Sequence, residues 1–297
     1  MVRHAEVRRS FDNPLLGRTH PHPERAPRVL ETLVWDCMLQ GHATEAADHG
    51  NMRALLGPFF SPSAMRVFRP RVQALVGLLL DRMEQAGSPA DLHSSLSHPL
   101  PVRAVSELMG IPCGVGSELA AVCQGMFAPG NPELERLAAG RMLLTMTELV
   151  KTKIRSPDDK LLSRLLHARA GSPPEQVAAL AGGVFFAAFV NTVRVLDLGV
   201  LLLLAHPSQK RALREDPRLL PGAREEILRA TRTAEGAHPR YAHADIDIGG
   251  CPIPAGDLVI LDLGGANHDP RCFAEPDLFD IKRKPNPHLS FGAGHWF

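Results

Sequence analysis

The most informative stretch of the sequence is Asn286-Pro287-His288-Leu289-Ser290-Phe291-Gly292-Ala293-Gly294-His295-Trp296-Phe297, which we call the glycine loop. Within it, two glycines stand two positions apart directly after a phenylalanine. Proline and glycine already recur from Asn267 onward, and this punctuation predicts an irregular loop rather than a helix or strand. What the glycine loop indicates about the fold therefore depends on the elements that precede it.

Two short strands are predicted just upstream. Residues 244–250 alternate apolar and polar side chains and end in Gly249-Gly250, and residues 257–262 form a second run after Pro254-Ala255-Gly256. Before the strands, apolar residues recur at helical spacing over most of the chain. The predicted helices cover residues 67–86, 100–109, 137–154 and 225–233. The sequence thus predicts a mainly α fold with small β sheets, and without a linker it predicts one domain over residues 1–297.

Residues 177–205 form the most apolar stretch, which is long enough to raise the question of a membrane span. Arg194 and Asp197 lie near its middle, where a charged side chain in lipid is costly. They are three residues apart on one helical face and could pair there. A long helix in the core of a soluble protein is therefore the favoured interpretation, and no membrane partner is expected.

Composition narrows the class of protein. The chain has 297 residues, 44% of them hydrophobic, and a net charge of +1, which argues against nucleic acid as a partner. Its start lacks an apolar h-region, so we expect no signal peptide. The five cysteines form no CxxC pair, which is typical of reduced thiols in a cytoplasmic protein.

Glu226 and Arg229 have the spacing Glu-x-x-Arg, one turn apart on a predicted helix. Taken alone, this spacing indicates a surface ion pair of little energetic value. The order of the motifs that follow changes that interpretation. They are Pro239-Arg240, residues 250–256, Ala266-Asn267-His268-Asp269-Pro270, Phe279-Asp280-Ile281-Lys282-Arg283 and the glycine loop.

This succession resembles the K helix, β region, meander and haem-binding loop of bacterial cytochromes P450. Upstream, Asp48-His49-Gly50-Asn51-Met52-Arg53 resembles the family's C helix, with Phe59-Phe60-Ser61-Pro62 after it, and residues 90–112 match as well. The resemblance covers nearly the whole chain. It implies the cytochrome P450 fold, incomplete at both ends, because family members carry further elements before and after these residues.

The resemblance also implies a haem cofactor, whose two propionates need cationic partners when buried. His49, Arg53 and Arg240 are the residues that would hold them, and the alternative for each is an ordinary surface charge. In the glycine loop, Gly292 and Gly294 would let the backbone approach the porphyrin, with Phe291 packed beside the iron ligand. A buried structural network would consist of Glu226, Arg229 and Arg283.

Three positions depart from the family pattern. The family's run Phe-Gly-x-Gly-x-His-x-Cys supplies a cysteine thiolate to iron, but here that cysteine would be the residue after Phe297, and no metal ligand is expected within the chain. Trp296 stands where the family has histidine and would still offer an N–H group to a propionate. Val190-Asn191 replaces the usual acid–threonine pair of the oxygen-activation segment, and Thr192 could substitute only if the alignment shifted by one residue.

Two functions follow from this resemblance. In the first, the chain is a fragment of a haem-thiolate monooxygenase that acts on a small organic or natural-product substrate and receives electrons from a ferredoxin and a ferredoxin reductase. Residues 225–270 are also similar to a mycobacterial member that couples the rings of a cyclic dityrosine, which points to a cyclic dipeptide or aromatic product. In the second, the chain is a haem-free scaffold that activates a biosynthetic partner such as a glycosyltransferase.

Overall fold

The computed structural model describes residues 2–27, 45–126, 131–231 and 238–294, with the backbone alone at residues 46–48. Helices predominate, and two small antiparallel sheets accompany them, so the predicted fold class is confirmed. The described helices are α1 (His4–Phe11), α2 (Glu45–Phe60), α3 (Pro62–Ala86), α4 (Pro99–Met109), α5 (Cys113–Gly125), α6 (Pro132–Arg155), α7 (Leu161–Ala168), α8 (Pro174–Ala205), α9 (Pro207–Glu215), α10 (Leu220–Ala230) and α11 (Leu263–Ala266).

The strands form one sheet of three and one hairpin. They are β1 (Leu16–Gly17), β2 (His238–Ala242), β3 (Ile246–Ile248), β4 (Cys251–Ile253) and β5 (Leu258–Leu261). The larger sheet has the order β1-β2-β5, and β3 pairs with β4. Gly249 and Gly250 connect β3 to β4 with φ angles of 64° and 83°, a backbone conformation that suits glycine and closes a two-residue hairpin. Both predicted strand regions are therefore present, each shorter than its sequence pattern.

The described chain divides into two compact units. The unit that we call the sheet unit contains residues 2–27, 45 and 194–294, and the helical unit contains residues 46–193. Helix α8 contributes residues to both. The single domain over residues 1–297 stays a prediction.

The helical unit has a core built from α4 to α7 and the first part of α8. Met109, Leu119, Met146, Leu162 and Phe185 are fully buried in it. Buried positions recur every three or four residues along α4 (Val102, Val105, Met109) and along α6 (Ala138, Ala139, Met142, Met146), which is the spacing that the sequence predicted in 100–109 and 137–154. Burial of such side chains supplies most of the stability of helices this long.

The sheet unit has two smaller cores. In the first, Val7 and Phe11 of α1 pack on Leu16, Val259 and Leu261 of the three-stranded sheet. In the second, Ala223 of α10 packs against Phe279 and Ile281 in the segment 267–285, which we call the meander segment. The two cores fix α1 and α10 beside the residues discussed below.

Helix α8 is long and apolar enough to cross a membrane, by length and composition only. Its first part is a core helix, as predicted, because Val177, Ala181 and Phe189 are buried. Toward its end, Leu201 and Leu204 are 60% and 55% exposed. The prediction of a buried helix therefore holds for the first part of α8 and fails for these two leucines.

Candidate functional site

The structure brings Glu226, Arg229 and Arg283 together in the sheet unit. Arg229 donates from Nε and Nη2 to the two carboxylate oxygens of Glu226, each over 2.8 Å. Nε of Arg283 lies 3.2 Å from Oε2 and 3.3 Å from Oε1 of the same carboxylate. Glu226 is 0% exposed and Arg229 1%, so the pair is a buried ion pair and not the surface pair that its spacing alone suggested.

Further donors complete the environment of Glu226. The backbone N–H of Asp280 donates to Oε1 over 2.9 Å, and Nδ2 of Asn286 donates to Oε2 over 3.1 Å. Burial raises the pKa of Glu226, but the bonds from Arg229 and Asp280 and the charges of Arg229 and Arg283 outweigh it, so the pKa lies below its ordinary value. The carboxylate is thus held ionised.

The two arginines of this network also bind the meander segment. Arg229 Nη1 donates to the carbonyl oxygens of Asn267, over 3.0 Å, and Pro276, over 2.8 Å. Arg283 Nη1 donates to the carbonyl oxygen of Ala274 over 2.6 Å. These bonds satisfy carbonyl groups that no regular element would satisfy. The network therefore fixes an irregular segment against α10, a structural and not a chemical task.

Arg240 lies on β2 and is 4% exposed. Its Nη1 donates to the carbonyl oxygen of Pro239 over 2.8 Å, and its Cζ lies 5.5 Å from the centre of the Phe11 ring. Burial, and secondarily the positive charge of Arg18, lower the pKa of Arg240 to about 10, while the carboxylate of Glu45 acts in the opposite direction. Arg240 is therefore a buried cation whose charged form is disfavoured chiefly by burial.

The carboxylate of Glu45 acts on both arginines and raises the pKa of each. This carboxylate accepts hydrogen bonds from the backbone N–H groups of Arg18 and Thr19 and from the hydroxyl of Thr19, so its oxygens are committed to the chain around β1. Burial lowers the pKa of Arg18 as well, opposed by Glu45. The charges of Arg18, Arg240 and Glu45 thus act on one another around β1 and β2. A buried guanidinium such as that of Arg240 is a suitable group to bind a carboxylate such as a haem propionate, because an anion offsets the cost of burying the cation.

The described part of the glycine loop lies against the end of α1. Gly292 and Gly294 have φ angles of 83° and 66°, which favour glycine. A Cβ at Gly292 would lie 3.5 Å from the Phe11 ring, and one at Gly294 would collide with the carboxylate of Asp12. Phe11 therefore contacts Arg240 and borders Gly292, which brings two of the predicted cofactor-binding residues to one place.

Phe291 is 63% exposed, so its ring does not belong to either core of the sheet unit. Trp296, the residue predicted to replace the family's histidine, lies outside the described residues. Among the residues that the structure describes, no group of three or more His, Cys, Asp or Glu side chains could hold a metal ion.

His49 and Arg53 lie four residues apart on α2 in the helical unit. His49 is buried, at 8% exposure, whereas Arg53 is exposed. Since Arg240 belongs to the sheet unit, a joint role of the three residues at one cofactor stays a prediction.

Val190, Asn191 and Thr192 lie within α8, in its part that belongs to the helical unit. Nδ2 of Asn191 donates to the carbonyl oxygen of Ala187 over 3.2 Å, and the hydroxyl of Thr192 donates to that of Ala188 over 2.7 Å. Both side chains therefore direct a donor to the preceding helical turn. In this conformation neither of these hydrogens is available to a ligand.

Sequence reasoning missed Phe11, Arg18 and Glu45, which surround Arg240. No local signal could have identified them, because each is distant in sequence from Arg240 and none lies in a motif. It named Asn267 within a motif but gave it no role, although its carbonyl accepts from Arg229 and its Oδ1 accepts from the backbone N–H of Leu289 over 2.7 Å. Its 2% exposure shows a buried amide that joins the meander segment to the glycine loop.

Known proteins resemble this chain over nearly its whole length. A family model described as Cytochrome P450 matches residues 141–295. Pentalenolactone synthase of Streptomyces exfoliatus is 36% identical over 301 residues, a match that covers 99% of this chain and 76% of the relative. Nocardicin C N-oxygenase of Nocardia uniformis subsp. tsuyamanensis is 32% identical over 306 residues, covering 99% of this chain and 75% of the relative.

Solved structures show the same likeness. Substrate-free PimD, a polyene macrolide antibiotic pimaricin epoxidase, matches with a TM-score of 0.85 and 35% identity over 100% of this chain and 77% of that one. SgvP, a putative thioether synthase in griseoviridin tailoring, matches with a TM-score of 0.90 and 29% identity over 99% of this chain and 75% of that one. This chain thus spans about three quarters of the length of these relatives.

Proposed function

The chain belongs to the cytochrome P450 family of oxidoreductases, and on that premise we propose that it binds haem and serves a monooxygenase-type reaction on a small natural product. The observation that carries the proposal is the position of Arg240, a guanidinium 4% exposed on β2 with its Cζ 5.5 Å from the centre of the Phe11 ring. The glycine loop borders the same ring, because a Cβ at Gly292 would lie 3.5 Å from it. A porphyrin propionate has the charge and the hydrogen-bond acceptors that a buried guanidinium group binds.

In this proposal each group of residues has a distinct task. Arg240, with His49 and Arg53 as further candidates, binds the propionates, and Gly292 and Gly294 leave room for the porphyrin face. When bound, haem supplies the oxidation chemistry, and the protein supplies the shape and charge of the pocket. The network of Glu226 with its two arginines holds the meander segment, from which the glycine loop continues.

The oxygen-activation segment supports an unusual proton supply. Residues 187–192 read Ala-Ala-Phe-Val-Asn-Thr and contain no acid. Asn191 can donate a hydrogen bond but relays a proton poorly, because an amide neither takes up nor releases one near neutral pH. We therefore propose that the substrate or a water molecule supplies protons in place of an acid–threonine pair, which favours coupling or an unusual hydroxylation.

The substrate proposal rests on the relatives. Their names describe pentalenolactone synthesis, oxygenation of nocardicin C and epoxidation of pimaricin. A microbial natural product is the class that these names share, and a cyclic dipeptide or aromatic product is a narrower candidate within it. Electrons would come from a ferredoxin and a ferredoxin reductase.

The direct test is a porphyrin titration of the 297-residue chain with haemin and with metal-free protoporphyrin IX, followed by absorption spectroscopy. Protoporphyrin IX has both propionates but needs no axial ligand, so it reports on the cationic site alone. Arg240→Leu should weaken binding about 10- to 100-fold, the value of one charge-assisted hydrogen bond. Arg218→Leu is the matched control, because Arg218 is 90% exposed and pairs with Asp216.

A second candidate function is the haem-free scaffold that activates a biosynthetic partner. The observations that favour it are the absence of an acid in residues 187–192 and the presence of Trp296 where the family has histidine. Failure of both porphyrins to bind the native chain would contradict the haem proposal and favour this candidate. Sequencing the source DNA past the codon for Phe297 would show whether a cysteine codon follows.

A further inference from the structure

The first part of the glycine loop, residues 286–290, contacts α10 through every second residue. Asn286 donates to Glu226, His288 bonds Oε2 of Glu225 over 2.9 Å, and the hydroxyl of Ser290 donates to the carbonyl oxygen of Leu228 over 2.8 Å. Alternation of this kind is the geometry of extended chain, in which successive side chains point to opposite sides. The side of α10 that holds the ion-pair network therefore also holds the start of the glycine loop.

The residues between them have other partners. The carbonyl oxygen of Pro287 lies 2.9 Å from Nε2 of His4 on α1. Leu289 is 3% exposed and packs in the core between α1 and the three-stranded sheet. The segment thus lies between α10 on one side and the α1 core on the other, and its backbone position is determined from both.

His288 is the member of this segment whose two ring nitrogens are both engaged. Nδ1 accepts from the backbone N–H of Ser290 over 3.3 Å, so Nε2 carries the hydrogen that is donated to Glu225. The side chain is 6% exposed, and its ring centre lies 6.1 Å from that of Phe291. Burial raises the pKa of Glu225, but its bonds to His288 and Arg224 outweigh this and lower it, so the acceptor is ionised at neutral pH.

We infer that Glu225 and His288 are positioning residues for the glycine loop, an inference that rests on the proposed haem function. The pair fixes the N–H of Ser290 and the ring of Phe291 immediately before Gly292 and Gly294. Glycine has the widest choice of backbone conformations, so a fixed residue just before the two glycines decides where they lie. The Glu225–His288 bond thereby sets the approach of Gly292 to Phe11 and Arg240.

The first test measures hydrogen exchange in the porphyrin-free chain. Glu225→Ala and His288→Phe should each raise exchange in peptides that contain residues 290–294 about tenfold, the effect of one lost hydrogen bond. Glu225→Gln retains an oxygen acceptor for Nε2–H and should stay within about twofold of the native chain. The controls are Glu215→Ala and His167→Phe, since both of these side chains are exposed.

The second test measures protoporphyrin IX binding by the same variants. We expect Glu225→Ala and His288→Phe to weaken it about tenfold and Glu225→Gln to restore it, a rescue that general destabilisation would not produce. Unchanged exchange and affinity in both disruptive variants would overturn the inference, as would a Glu225→Gln variant as defective as Glu225→Ala. If the native chain binds no porphyrin, the proposed function fails, and the exchange measurement still decides the positioning role.

Discussion

Glu226 is a fully buried carboxylate whose charge depends on several hydrogen-bond donors. Its two carboxylate oxygens receive bonds from Arg229, Arg283, Asn286 and the backbone of Asp280, with no exposure to solvent. A buried ion pair need not be more stabilising than an apolar pair of the same size, but removal of one partner leaves a buried charge unpaired. Replacing Glu226 alone should therefore cost far more stability than replacing the whole ion pair by apolar residues.

We predict that Glu226→Gln lowers the free energy of unfolding by about 3–5 kcal/mol, because the charges of Arg229 and Arg283 would remain buried without their carboxylate. Urea unfolding monitored by circular dichroism measures the difference. Glu215→Gln, on the exposed end of α9, is the control and should change stability by less than about 0.5 kcal/mol. A loss no greater than that of the control would contradict the network as described.

The same carboxylate makes stability depend on pH. Its folded-state pKa lies below the ordinary value of 4.5, so in the acidic range the unfolded chain binds the extra proton. The stabilisation is complete above pH 4.5 and is lost as pH falls through the lower folded-state pKa. The difference in unfolding free energy between the native chain and Glu226→Gln should therefore narrow below pH 4.5, and a difference independent of pH would refute this assignment.

At the level of a single helix, α10 shows how closely the meander segment is packed. Gly222 lies in its first turn, and a Cβ there would come within 2.6 Å of the carbonyl oxygen of Ile281, a backbone atom that cannot rotate away. In contrast, a Cβ at Gly77 in α3 would have nothing within 4 Å. The two helical glycines thus differ in surroundings.

This difference predicts opposite effects of one substitution. Gly222→Ala should destabilise the chain by about 1–3 kcal/mol, because overpacking must displace the meander segment. Gly77→Ala should instead stabilise it by about 0.5–1 kcal/mol, since alanine loses less conformational freedom in a helix. Thermal unfolding of both variants provides the comparison, and a gain in both would show that α10 and Ile281 are farther apart than described.

Helix α8 offers a second comparison along one element. Phe185 is fully buried and Leu204 is 55% exposed. Phe185→Ala should cost about 3–5 kcal/mol through lost burial and a residual cavity, whereas Leu204→Ala should be nearly neutral. Equal losses, measured by denaturant unfolding, would contradict this difference in burial between Phe185 and Leu204.

Prediction from sequence succeeded for elements with a local signal and failed where contacts are distant in the chain. The first part of α8, the C-terminal end of α6 and the turn at Gly249-Gly250 follow from periodicity and turn residues, whereas the start of α6 lies five residues before its predicted position and β4 was not predicted. The order of motifs led to Glu226, Arg229 and Arg283 as a group. The bond of His288 to Glu225 joins residues 63 positions apart, and no pattern of spacing marks it.

For the molecule as a whole, the proposed haem function leads to a prediction about the iron ligand. Residues 286–297 contain no cysteine, and Cys272 lies in the meander segment, where burial and the charge of Asp269 raise the pKa of its thiol. A polypeptide of these 297 residues should therefore give no carbon monoxide difference band at the position that named the family. Such a band in the reduced, haem-loaded chain would contradict this prediction, and Cys272→Ser would then identify the ligand.

The ion-pair network also has a consequence for protein synthesis. The partners of Glu226 beyond α10 follow it by 54, 57 and 60 residues. A ribosome that adds about 5–20 residues per second leaves α10 without them for roughly 3–12 s. During that interval Arg229 is the only member of the network made alongside Glu226. The ion-pair network of α10 therefore cannot be completed until the meander segment has been synthesised. Folding of this part of the sheet unit is thus a late step in co-translational folding.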